Sequence, residues 1–147
     1  MSCYVNFFIR SPKDEFMSLG SFSRNTAEYG CANELALPYE KIKLLTTSSI
    51  KSMRQTAMDI VGDIRESIKK CNEEISLVKG MEGTVNERLE NIREINNEIA
   101  DLVEDDKRYS QAYGYFNSLI AIDCEYENSV IYAGIECGEP TVDDIVE

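Results

Sequence analysis

The chain has 147 residues with 27 Asp and Glu, 15 Lys and Arg and no histidine, giving a net charge of −12. The length suits one domain with a real core, and 43% apolar with 29% charged residues excludes wholesale disorder. Its longest uncharged run, Tyr109 to Ile122, is 14 residues against the about 20 a membrane helix needs, and the missing histidine removes the commonest general base and metal ligand. No signal-peptide pattern opens the chain, so a soluble, cytoplasmic protein is expected.

Residues 3–10 are aromatic and β-branched enough for a strand, and Ser11 to Asp14 with Pro12 is turn chemistry. A second strand over Phe16 to Phe22 completes a hairpin. Asn25 and Glu28 have capping-box spacing, which predicts a short helix from Thr26 to about Leu35, stopped before Pro38.

No proline lies between Pro38 and Pro140, which leaves room for long helices. Ile50, Met53, Ala57, Ile60, Ile64, Ile68, Cys71, Ile75 and Val78 recur at steps of three and four, with a stutter near Ile64. Thr46, Thr47 or Ser48 caps the start. Lys79 suits the end of this helix, where Gly80 is expected to take the left-handed conformation. Thr84 and Glu87 then form a capping box for a second helix carrying Val85, Leu89, Ile92, Ile95, Ile99, Leu102 and Val103. So short a connection forces an antiparallel helical hairpin. Asn96 falls at a heptad core position, unless Ile95 takes the core and leaves Asn96 at the rim. One hairpin does not cover every apolar position on two such helices, so a homodimer is expected, with Ile60, Ile64, Ile68, Ile92, Asn96 and Ile99 as oligomerisation residues.

Beyond Tyr109 the pattern changes, and Gly114 is a plausible terminator. Residues 118–126 and 129–136 flank Glu127 and Asn128 and read as a β-hairpin, the competing reading being a helix continued through Ile120. Residues 138–147 look like a solvated acidic tail with a small anchor at Ile145 and Val146. The expected fold is α+β in one domain. Residues 1–45 supply N-terminal strands and a short helix, 46–117 the helical hairpin, 118–137 a C-terminal β-hairpin and 138–147 the tail. The terminal strands form a small antiparallel sheet.

Little here carries catalytic chemistry. Asp101 and Asp105 share a helix face, but Lys107 and Arg108 follow at once. Ser48 with Lys51 and Ser67 with Lys70 match a bare S-x-x-K spacing without its companion motifs. No phosphate loop, dinucleotide fingerprint or calcium loop is found, and the five cysteines lack any C-x-x-C pair. The chain is expected to be no enzyme, to need no cofactor or metal, and to keep its thiols reduced.

Charge is the more informative signal. Residues 1–80 hold 10 acids and 11 bases, whereas residues 81–147 hold 17 acids and 4 bases. Five of the eight tyrosines fall between Tyr109 and Tyr132 among these acids. Tyr109, Tyr113 and Phe116 have core-facing spacing; Tyr115 and Tyr126 are freer. An acidic, Tyr-bearing surface suits a basic partner, including a nucleic-acid-binding protein, rather than nucleic acid or membrane itself. The residues expected to form it are Tyr115, Asp123, Glu125, Tyr126, Glu127 and Glu136. A second reading is a small-ligand, nucleotide-like sensor or sponge with Arg10, Arg24, Lys41 and Lys43 as anion clamp; a third is a structural coiled-coil spacer. The make-up (small, acidic, reduced in its thiols, without catalytic motifs) resembles that of small phage-encoded inhibitors of bacterial defence proteins, a likeness of composition that implies an inhibitor or decoy.

Overall fold

Val5, Phe7 and Ile9 alternate with Tyr4, Asn6, Phe8 and Arg10, and this period of two makes Tyr4–Arg10 the first strand, β1. The computed structural model describes residues 3–126 and 130–146. In chain order there follow β2 (Phe16–Ser23), α1 (Ala27–Ala32), a 3-10 turn (Asn33–Leu35) and β3 (Ile42–Leu44). Then come α2 (Thr47–Gly80), α3 (Val85–Glu125), β4 (Ile131–Ile135), a 3-10 turn (Val142–Asp144) and β5 (Ile145–Val146). The fold is α+β: α2 and α3 form a hairpin, and strands from both ends of the chain make a small open sheet in the order β2-β1-β4-β3-β5. That sheet is mixed rather than all antiparallel, because β5 joins β3 in parallel, Ile42 opposite Ile145. The chain divides into two compact units, Met1–Ala57 with Ala112–Glu147, and Met58–Gln111.

In the first unit one sheet face is apolar. The register sets Phe7 opposite Ala133 and Ile9 opposite Ile131, all buried. Ile50, Met53 and Ala57 of α2 and Ala112, Phe116 and Leu119 of α3 are buried with them. Phe7 meets Phe22 of the neighbouring strand at 5.4 Å, and its edge-on contact with Tyr115 of α3 at 5.7 Å joins sheet to helix. On the opposite face Phe8, Ile42, Tyr132 and Cys137 form a smaller cluster with Phe16 and Ile145. Ile145 is therefore an anchor, and the stretch expected to be a solvated tail is tied down. Asn6 Nδ2 donates to the Cys137 carbonyl at 3.2 Å, and Thr141 with Asp144 forms a capping box just before β5.

The C-terminal β-hairpin expected over 118–137 does not form. Residues 118–125 continue α3, and β4 pairs with β1 and β3 instead. A strand over 118–126 would put Ile120, Ile122 and Cys124 on one face, yet Cys124 is exposed. The buried set is Ala112, Phe116, Leu119, Ile120 and Asp123, a helical spacing. Gly114 does not stop the helix; it lies on the exposed side with nothing near it. The Asn25 box is also absent: Thr26 takes the N-cap of α1 and makes no side-chain cap hydrogen bond.

In the second unit the hairpin caps are as the spacing implies. At the start of α2, in the first unit, Ser49 N–H donates to Thr46 Oγ1 at 3.1 Å. Glu87 N–H donates to Thr84 Oγ1 at 3.1 Å and Thr84 N–H to Glu87 Oε2 at 3.3 Å, the reciprocal box at the start of α3. The left-handed turn residue is Gly83, with φ of 138°, not Gly80, which remains the last residue of α2. Along α2 the buried residues are Ile50, Met53, Ala57, Val61, Ile64, Cys71 and Val78. The stutter thus falls at Ala57, because Val61 rather than Ile60 turns inward.

Candidate functional site

The six residues expected to meet a partner do not share a surface. Tyr115 belongs to the core, its ring against Phe7, Phe22 and Phe116, and burial pushes its phenol pKa up. Asp123 is 2% exposed, accepting hydrogen bonds from Thr47 Oγ1 and from Val130 N–H at 3.1 Å. Both are corrected from surface to interior, since the helix carries their positions inward. Glu125 and Tyr126 are exposed at the end of α3. Glu136 takes a hydrogen bond from Tyr39, which lowers its pKa and raises that of the phenol to about 12. Glu127 lies outside the described residues.

The four cations of the anion clamp are not gathered either. Arg10 lies against the rings of Phe16 and Tyr132, donates to the Tyr132 hydroxyl at 2.9 Å and pairs with Asp14 at 2.8 Å. Arg24 stacks on Tyr29 just beyond the end of the β1–β2 pair where Tyr4 meets Ser23, whereas Arg10 sits at the opposite end, where it meets Phe16. Lys41 pairs with Asp144 at 3.8 Å and Lys43 donates to the Leu35 carbonyl at 3.2 Å. Each cation answers a local group. Of the thiols, Cys31 is pushed up to about 11 by burial, and burial raises Cys71 and Cys137 as well, which keeps all three protonated. No group of three or more Cys, Asp and Glu able to hold a metal ion is found among the described residues. No helix among them is long and apolar enough to cross a membrane.

The uneven charge along the chain is evened out between the units. The first holds 13 acids and 7 bases and the second 14 acids and 8 bases, a net of −6 each. The hairpin folds acidic α3 back along the nearly balanced α2. Within the second unit residues 81–111 hold 9 acids and 4 bases, so most of its charge lies on α3 and the turn before it.

There α3 shows three faces. Ile95, Leu102 and Asp106 turn toward α2, where Arg65 Nε meets Asp106 Oδ2 at 2.9 Å and Ser110 Oγ donates to Asp106 Oδ1 at 3.1 Å. A second face carries Glu87, Glu90, Glu94, Glu98, Asp101 and Asp105 at steps of 3, 4, 4, 3 and 4, the first five exposed. Arg93 reaches Glu90 at 3.8 Å, and the Glu98 carboxylate, after burial, helps raise the Cys71 thiol pKa. The third face is an uncharged strip of Val85, Leu89, Ile92, Asn96, Ile99 and Val103 at steps of 4, 3, 4, 3 and 4. Val85 is 63% exposed, Leu89 48% and Val103 54%, while Ile92 and Ile99 are half-buried.

Of the expected oligomerisation residues, Ile64 is buried within the chain and Ile60 and Ile68 are half-buried on α2. Ile92, Asn96 and Ile99 fall on the open strip, with Ile95 half-buried and Asn96 exposed. The carboxylate line was absent from the expected set, although its spacing is plain in the sequence once acids are tested for helical period as apolar residues are.

The Arg65 guanidinium holds the Asp106 carboxyl below the usual carboxylate range, helped by Ser110 and opposed by burial. A lowered folded-state pKa contributes stability that is present above the unfolded value of about 3.9 and lost as pH falls through the folded value. The Tm difference between the wild type and Asp106→Asn should therefore be full near about pH 6 and close below about pH 4. A difference constant over that range, in thermal melts followed by circular dichroism, would refute the pairing.

Comparison with models of known families, with curated proteins and with solved structures finds no match.

Proposed function

We propose that the protein is a non-enzymatic interaction module whose carboxylate line on α3 engages a basic protein surface, acting as a decoy for nucleic acid. The observation that carries this is the row of acids from Glu87 to Asp105 at helical spacing on one face. At 1.5 Å per residue that row is about 27 Å long, or one charge per about 5 Å, comparable with one per 3.4 Å along a DNA strand. A groove lined by Lys and Arg to hold phosphates would meet a similar field. The module also associates with itself, since a single hairpin leaves part of α3 uncovered.

Poly-L-lysine serves as the probe, with binding followed by fluorescence anisotropy. Affinity should fall steeply between about 50 mM and about 200 mM salt. Neutralising the exposed line residues Glu90, Glu94 and Asp101, together with exposed Glu104 beside the line, to their amides should weaken it about tenfold, four pairs at about 0.2–1 kcal/mol each. Glu87 is spared because it caps α3. Equal binding by this variant, or binding indifferent to salt, would sink the reading.

A further inference from the structure

The uncharged strip of α3 cannot be a solvated helix face of the ordinary kind. It runs 19 residues without a charge at any of its six positions, in a chain that is 29% charged. Val85, Leu89 and Val103 stand largely in solvent, where an isolated helix would place Lys, Glu or Gln. In heptad terms Leu89, Asn96 and Val103 occupy position a and Val85, Ile92 and Ile99 position d. A strip of this period fits a helix of the same period. We infer that its occupant is the α3 strip of a second copy of this chain, packed parallel to the first with Asn96 meeting Asn96 across the two-fold axis. The inference rests on the self-association in the reading above and not on the carboxylate line.

Three observations select a second copy in that orientation. The strip borders the side of α3 that meets α2 at Asp106: Ile92 and Ile99 are half-buried, as are Ile95 and Leu102 next to them round the helix. A second strip laid along it extends one core into a four-helix bundle. Asn96 is exposed midway along the strip, and its amide both donates and accepts, so it is complementary to itself. A two-fold interface needs that property, and a parallel register sets asparagine on asparagine where an antiparallel one sets it on Ile92. Finally, the exposed apolar residues of this unit concentrate at the turn: Leu77 at 65%, Met81 at 55%, Val85 and Leu89. Parallel pairing brings the two turns together and covers Val85 and Leu89 of each copy. Antiparallel pairing would set each turn against the far end of the strip, where Asp106, Lys107 and Gln111 follow Val103.

The carboxylate line stays outside this contact, so the two copies bring like charge near each other without burying it. Self-association should therefore strengthen as salt rises, the reverse of binding to a polycation.

Sedimentation equilibrium of the full chain at low and high salt tests the inference. The expected result is a dimer whose dissociation constant falls with salt. Leu89→Glu with Val103→Glu, both exposed positions, should raise that constant about a hundredfold by forcing buried charge, with unchanged helix content by circular dichroism. With exposed Cys124 replaced by Ser, Leu89→Cys should cross-link to its own copy. A chain monomeric at every concentration and salt, or a dimer indifferent to the double substitution, would overturn the inference. So would cross-linking confined to mixtures of Leu89→Cys with Ile99→Cys, which marks the antiparallel register. The variant neutralised at Glu90, Glu94, Asp101 and Glu104 should stay dimeric, and the monomeric double variant should still bind poly-L-lysine, so either surface can fail without the other.

Discussion

Gly134→Ala should lower the melting temperature by about 6–12 °C, from a loss of about 3 kcal/mol at 2–4 °C per kcal/mol for a chain of this size. Gly134 sits in β4 between β1 and β3, opposite Asn6. A Cβ there would lie 1.9 Å from the Lys41 carbonyl oxygen, 3.0 Å from its carbon and 3.1 Å from the Cys137 sulfur. The first of these is far inside contact distance, so the backbone at Lys41 would have to move. It is held on both sides. Ile135 N–H donates to the Pro38 carbonyl and Glu40 N–H to the Ile135 carbonyl, each at 2.8 Å, and β3 begins at Ile42. Shifting Lys41 therefore breaks the crossing of residues 38–41 over β4 and disturbs Ile42, which is fully buried. Gly114→Ala is the control: nothing lies near a Cβ there, and helix propensity should make it stabilising by about 0.5–1 kcal/mol. Opposite signs for the two glycines in the same melting assay are the expected result; a neutral Gly134→Ala would mean that the close approach at Lys41 is not a constraint.

The contrast between these glycines shows what could be read before the structure. Local signals were legible: the alternation of Val5, Phe7 and Ile9, the Thr84 and Glu87 box, and the three–four periodicity of α2 each produce the element they imply. They act over a few residues, and the fold does not overrule them. Gly114 and Gly134 are alike as letters in a sequence. One is open on a helix and the other lies beneath a carbonyl 93 residues away in the chain, a difference that only tertiary contact creates. Residues 118–125 fail for a related reason. Ser118 to Glu125 satisfies both a period of two and a helical period, and the arbiter is the buried phase set upstream by Ala112 and Phe116. The charge asymmetry misled in another way. It is real along the chain, but an antiparallel hairpin folds the acidic segment against the balanced one, and field strength depends on neighbours in space. What remains is narrower: the line on α3, where six acids share a face because their spacing, not their number, puts them there.

Asp123→Ala should be comparably damaging, at about 2–4 kcal/mol, or about 4–16 °C in melting temperature. Asp123 is the single buried charged residue in the core set of the described residues. Its two oxygens are used separately: Oδ2 accepts from Thr47 Oγ1, on the first residue of α2, and Oδ1 from Val130 N–H, one residue before β4. One carboxylate thus fastens the end of α3 to the start of α2 and to the entry of β4. It also places negative charge beside the N-terminus of α2, where the helix dipole favours it. Alanine would leave a backbone N–H and a hydroxyl without their acceptor in a buried place, which costs more than the bonds gained in forming them. Asp123→Asn keeps one acceptor oxygen and should recover roughly half the loss. The discriminating measurement is a double-mutant cycle with Thr47→Val. A shared hydrogen bond predicts a coupling of at least about 0.5 kcal/mol, whereas strictly additive losses would show that the two side chains contribute independently. The same cycle bears on the surface role first expected of this residue. A carboxylate spent on Thr47 and Val130 has no oxygen to offer a partner, so Asp123→Asn should weaken poly-L-lysine binding far less than neutralising Glu90, Glu94, Asp101 and Glu104 does.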